Sequence, residues 1–236
     1  MTAPLSRLRI RYAKLGRIRW TSHRDVARMW ERALRRAAVP LAYTEGFSPR
    51  PQLSFGLALP TGCESTAEYL DAALRAAVSP AELTATVTPL LPDGLHLVTA
   101  AVLEPGSGSL QEEVTSCRWE IELPGLDLGA AHAAVDRALG AGSLPVRRER
   151  KGRQEVDDLR PSVLALDAVP DEGAAGVTLV AELATKPRGV RPSELADALA
   201  VSFGRARRTH QWIERDEQRV EPLGADALVP ALGRAS

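Results

Sequence analysis

The chain has 236 residues, is 44% hydrophobic and 25% charged, and balances 30 Lys and Arg against 30 Asp and Glu. This is ordinary globular composition, and the length suits two small domains. No run approaches the roughly 18 apolar residues of a membrane span and no signal-peptide core opens the chain, so a cytoplasmic location without membrane contact is expected.

In chain order, residues 8–12 alternate Leu8, Ile10 and Tyr12 with Arg9 and Arg11, the period-two pattern of a half-buried strand. Lys14-Leu15-Gly16 turns the chain into a second short extended piece at residues 17–20. Ser22 and Asp25 form a capping box for a helix in which Val26, Met29, Trp30, Ala33, Leu34 and Ala37 share one face. Arg24, Arg28, Arg32 and Arg35 mark the opposite face, and Val39-Pro40 ends the helix. Extended segments follow at 41–43 and 53–59, separated by a Pro-interrupted loop at 45–51. Residues 67–74 read as a strand, although their alanines also fit a helix. Ser79 caps a helix starting at Pro80, and residues 95–102 close the unit as a strand.

The resulting β-α-β-β-α-β order is the split ferredoxin-like arrangement. Residues 105–115, rich in Gly, Ser and Pro at their start, read as a linker. The pattern then restarts: strand 118–123, helix 128–139, a basic extended segment 146–153, strands 163–168 and 177–183, a helix from Arg191-Pro192-Ser193 to about 201, and strand 207–214. The expected fold is therefore α+β, with tandem ferredoxin-like (βαββαβ) domains at 1–104 and 116–221 and a loosely held tail at 222–236.

Cys63 and Cys117 stand far apart without Cys or His neighbours at ligand spacing, which argues against a disulfide framework or a zinc ribbon. The adjacent acids Glu155, Asp157 and Asp158, which could coordinate Mg²⁺, give no definite geometry for it, so no metal site is expected. Two cysteines also cannot supply a clustered three-cysteine iron–sulfur motif. The sequence lacks a P-loop, a dinucleotide glycine fingerprint and a serine-nucleophile elbow, which sets aside nucleotide hydrolysis and hydride transfer.

Neutral net charge conceals a basic N-terminal region, in which Arg7, Arg9, Arg11, Lys14, Arg17, Arg19, Arg24, Arg28, Arg32, Arg35, Arg36 and Arg50 face only Asp25, Glu31 and Glu45. Local clustering of this kind is the footprint of nucleic-acid contact, with a solvated basic surface as the alternative. In Gly46-Phe47-Ser48-Pro49-Arg50-Pro51, the prolines fix the backbone on both sides of Arg50. That arrangement presents a guanidinium to a phosphate while Phe47 either stacks on a base or fills the core. Arg147, Arg148, Arg150, Lys151 and Arg153 form a basic run suited to an RNA backbone, with Glu155, Asp157 and Asp158 positioned to neutralise part of it. Arg208 and His210, with Trp212 nearby, give the last strand basic and aromatic character. His23, at the first helical turn, is the candidate acid–base catalyst; the competing role is packing or capping at the helix start.

Residues 9–71 resemble the N-terminal signature of the radical-SAM-linked family, an uncharacterised family. The resemblance is carried by Ser22-His23-x-Asp25, Glu31-x-Ala33-Leu34-Arg35-Arg36, Gly46-Phe47-Ser48-Pro49-Arg50-Pro51 and Pro60-x-Gly62-x-Glu64-Ser65, and more weakly by residues 155–161. It implies a radical SAM protein as partner, with the iron–sulfur cluster and SAM in that partner and no cofactor in this chain. A remoter architectural likeness is to CRISPR repeat-processing endoribonucleases, from which the chain departs by lacking an evident C-terminal glycine-rich loop. The expected function is an accessory RNA-binding protein that grips structured RNA for a radical SAM partner. Two alternatives stand beside it: a metal-independent RNA-processing enzyme using His23, and a protein–protein adaptor without RNA.

Overall fold

The computed structural model describes residues 5–150, 152–171, 176–215 and 218–223. The chain is of mixed α and β structure and divides into two compact units. The first comprises the segment up to Thr61, Ser65–Glu113 and the chain from Ile213; the second comprises Gly62–Glu64 and Val114–Trp212. No helix among the described residues is long and apolar enough to cross a membrane.

The first unit runs β1 (Ser6–Lys14), α1 (His23–Arg36), β2 (Leu53–Phe55), β3 (Glu64–Leu74), α2 (Pro80–Val87), β4 (Leu95–Val102) and the short α3 (Leu110–Glu113). β1 lies between β4 and β3, antiparallel to both, and β2 pairs antiparallel with β3. Ile10 sits opposite Leu70 on one side and Ala100 on the other. Alternation sends Leu8, Ile10 and Tyr12 to the helix-covered face, where they meet Val26, Trp30, Ala33 and Leu34 of α1 and Leu83 and Val87 of α2. Trp30 is fully buried, with its ring 5.0 Å from that of Tyr12. Truncating such a side chain to alanine costs about 3–5 kcal/mol.

The second unit contains β5 (Val114–Leu123), α4 (Leu128–Gly140), β6 (Pro145–Arg150), β7 (Arg153–Asp158), β8 (Val163–Pro170), β9 (Val177–Ala184), α5 (Pro192–Leu199) and most of β10 (Ala206–Arg215). Its sheet order is β10-β5-β9-β8, with Trp119 opposite Ala181 and Ala168 opposite Leu179. Ala131, Ala134, Val135 and Ala138 form the buried stripe of α4, while β6 and β7 form a separate hairpin. The end of β10 pairs with β11 (Gln218–Val220), Glu214 opposite Arg219, within the first unit.

Several elements differ from the sequence expectation. Residues 16–20 form a 3-10 turn instead of a strand, because Gly16 takes a positive φ of 70° and reverses the chain at once. Residues 41–43 make only isolated bridges, Leu41 to Leu74 and Tyr43 to Pro51, and the strand expected over 53–59 stops at Phe55. The ambiguous alanine segment is a strand, Glu64–Leu74. Within the expected linker, Leu110–Glu113 is helical. Its approach is pinned by arginines of β1: Arg7 donates to the carbonyls of Ser107 and Gly108, and Arg9 donates to Gly108 O at 3.3 Å. The chain near 221 is also held, with Arg11 Nη1 2.6 Å from Glu221 Oε2 and Arg9 Nη1 donating to Pro222 O at 3.2 Å. The remainder of the expected tail, from residue 224, lies outside the described residues.

Candidate functional site

Helix α1 is built with two opposed faces. Ser22 caps it by accepting a hydrogen bond from the Asp25 amide at 3.2 Å, while its hydroxyl donates to Asp25 Oδ2 at 2.7 Å. The Ser22 hydroxyl, against desolvation and with help from Arg28 and Arg24, holds the Asp25 carboxyl below the usual range. With Val26, Trp30, Ala33 and Leu34 committed to the core, Arg24, Arg28, Arg32 and Arg35 are all exposed on the outer side. Steps of four, four and three residues rise about 6, 6 and 4.5 Å along the axis and keep to one side of the helix, so these guanidinia form a file.

The file and Arg50 line one open cleft of about 470 Å³, together with Ala27 and Glu31. Arg28 pairs with Asp25 at 3.2 Å and Arg35 with Glu31 at 3.1 Å. Among the described residues, the guanidinia of Arg24, Arg32 and Arg50 form no ion pair. Five arginines against one lining carboxylate give the cleft a net positive charge, and it is open to solvent.

Arg50 reaches the cleft from a loop closed at its base. The Thr44 amide donates to Arg50 O at 2.9 Å, and the Arg50 amide donates back to Thr44 Oγ1 at 3.0 Å. Gly46, at the positive φ of 117°, supplies a turn that other residues rarely adopt. Phe47 then projects with a relative exposure of 109%, which settles its core alternative: it packs into nothing.

His23 is exposed at the first turn of α1, its ring edge-on to Phe55 at 5.4 Å between centroids. It is not among the residues lining the cleft, and among the described residues no hydrogen-bonding partner orients it.

The remaining predicted residues are placed elsewhere. Arg147 is exposed on β6, but Arg148 is engaged in a ring of alternating charge. Arg148 lies 3.1 Å from Asp157 and 2.7 Å from Glu194, while Arg188 lies 2.9 Å from Asp157 and 3.0 Å from Glu194. Lys151 lies outside the described residues, as do the side chains of Arg150 and Arg153. Arg208 requires correction: it is 2% exposed, with its guanidinium 5.5 Å from the centre of the Trp119 ring, and its burial withdraws it from a solvent-facing contact. His210 stacks flat on Trp212, 4.9 Å between centroids and 5° between planes, and its Nδ1 lies 3.0 Å from Thr209 Oγ1.

Arg32 was legible as part of the helical file but not as a site residue until the cleft grouped it with Arg50. Trp20 was missed entirely: it is 65% exposed, with Arg19 5.3 Å from its ring centre, and its place in an apparent strand gave no sign of this.

A family model described as an uncharacterised protein conserved in bacteria, DUF2344, matches residues 7–192. The chain belongs to this family. The matched span of the DUF2344 chain includes α1, the Arg50 loop and the β6–β7 hairpin, and ends at the start of α5. No curated protein matches it. Among solved structures, it is similar to a chain of a crystal structure of a Cbf5-Nop10-Gar1 complex, with 13% identity and a TM-score of 0.48. The similarity covers 86% of this chain and 48% of that one, so the DUF2344 chain spans about half the length of the chain it matches.

Proposed function

We propose that this DUF2344 protein is a cytoplasmic accessory RNA-binding protein that works with a radical SAM partner in RNA modification or processing. The observation that carries the RNA reading is the cleft in which Arg24, Arg28, Arg32, Arg35 and Arg50 converge. Phosphates are the natural counter-charge for such a file, because each guanidinium presents a planar fork of donors that matches phosphate oxygens. Like charges at i,i+4 on one helix cost stability by about 0.2–0.5 kcal/mol per pair, a cost that a polyanion removes on binding.

The radical SAM partner rests on the sequence resemblance alone, and in this reading the iron–sulfur cluster and SAM belong to that partner. We read both units as ferredoxin-like. The antiparallel β4-β1-β3 order with β2 beyond, and the β10-β5-β9-β8 order with the β6–β7 hairpin inserted after α4, support this reading.

Fluorescence anisotropy with labelled RNA across a salt series tests the function. Wild type should lose affinity steeply with salt, and Arg24→Gln/Arg32→Gln/Arg50→Gln should flatten the slope of log K against log salt by about 0.7 for each single-strand phosphate contact removed. An unchanged slope in the triple variant would sink the cleft as the RNA site.

A further inference from the structure

The Arg50 loop carries a feature that phosphate binding does not use. Phe47 stands entirely in water at the tip of a loop whose base is fixed by two Thr44–Arg50 hydrogen bonds. The flanking residues are chosen for conformation: Gly46 takes a φ of 117°, and Pro49 and Pro51 restrict the backbone beyond. An exposed phenylalanine gains no burial energy in this fold, and the fixed loop lowers the entropy cost of offering its ring to a ligand. Three residues along the same loop, Arg50 lines the arginine cleft.

We infer that the site takes an unpaired RNA segment, with backbone phosphates along the Arg24–Arg28–Arg32 file and one base stacked on Phe47. This inference rests on the RNA-binding reading above and narrows it to a substrate class. Basic grooves combined with aromatic platforms bind single strands because every base has a π-face to stack. In a duplex those faces are already stacked on their neighbours, leaving phosphates and 2′-hydroxyls for recognition, and Phe47 finds no partner. A structured RNA meets the requirement at a loop, bulge or end.

The test uses the full chain and one oligoribonucleotide sequence, offered single-stranded and as a duplex. Wild type should prefer the single strand. Phe47→Ala should weaken single-strand binding by roughly tenfold or more and leave duplex binding unchanged, while Phe47→Trp should retain the preference. Because Phe47 packs against nothing, these substitutions leave folding intact, which circular dichroism verifies. A 2-aminopurine in the strand should be quenched by wild type and remain bright with Phe47→Ala. Equal affinity for both forms, with no effect of Phe47→Ala but weakened binding in the arginine variants, overturns the single-strand inference and leaves RNA binding standing. No binding of either RNA by wild type overturns both.

Discussion

Arg9 and Asp71 are joined by two hydrogen bonds across adjacent strands, Nε to Oδ1 at 2.7 Å and Nη2 to Oδ2 at 2.9 Å, with Arg9 only 2% exposed. Buried fork-to-fork pairs of this kind become costly when one partner is lost, because the other charge stays desolvated. Asp71→Ala should therefore destabilise the protein by about 3–5 kcal/mol in urea unfolding. Arg9→Met/Asp71→Leu should recover much of that loss, and equal costs for the single and double variants would show that the pair is not the source.

The charge ring of Arg148, Arg188, Asp157 and Glu194 predicts acid lability of the β6–β7 hairpin. Hydrogen bonding from Arg148, against desolvation and with help from Arg188, holds the Asp157 carboxyl below its usual range. Burial opposes ionisation of Glu194, but the Arg191 amide and Arg188 outweigh it and its pKa is also lowered. In both cases the unfolded chain binds the proton more readily than the folded one, so the stabilisation is present at neutral pH. It is lost as pH falls below the ordinary carboxylate value of about 4 and through the lowered values. Protection factors of the hairpin amides, corrected for the intrinsic exchange rate at each pH, should fall over that range ahead of those of α4; a uniform response would count against the ring as the anchor.

Glu221 has the opposite sign. Burial raises its pKa despite the Arg11 partner at 2.6 Å. The folded state keeps this proton longer, so the Glu221 contribution falls as pH rises from the ordinary carboxylate range through the raised value. Glu221→Gln should remove that slope from the stability profile, as measured by denaturant midpoints across pH.

Gly94→Ala should destabilise by roughly 1–3 kcal/mol. Gly94 has a φ of 85°, and an added Cβ would collide with the Leu15 carbonyl oxygen and lie 2.8 Å from Ile18 Cγ2. The Leu15 amide is itself tied to Gly94 O at 2.8 Å, so the contact cannot open without losing that bond. A thermal midpoint equal to wild type would refute the clash.

Arg24→Gln and Arg32→Gln should leave stability within about 0.5 kcal/mol of wild type. Both side chains are exposed, and their removal relieves like-charge spacing along α1. Unfolding curves displaced well beyond this range would mean that the file is structural.

The arginine file was legible because helical periodicity separates it from Val26, Trp30 and Leu34, and Arg50 because prolines flank it. The fate of Arg9 and Arg11 was not. Alternation along β1 puts them on the face away from Leu8 and Ile10, but no local pattern shows that residues 107–108 and 221–222 cover that face. Arg208 was misread for the same reason, since Trp119 is distant in sequence. For Arg148, the nearby Asp157 was visible as a partner, whereas Glu194 comes from a helix far along the chain.

The Thr44–Arg50 closure has a consequence for variation. Both ends of the loop are tied to each other, so the closure at Thr44 and Arg50 does not depend on which side chains stand between them. Extending such a tip raises the closure entropy only slowly. The tip at residues 45–49 can therefore change what it offers a ligand, with Gly46 keeping its turn, while the guanidinium at its base stays where the fold put it.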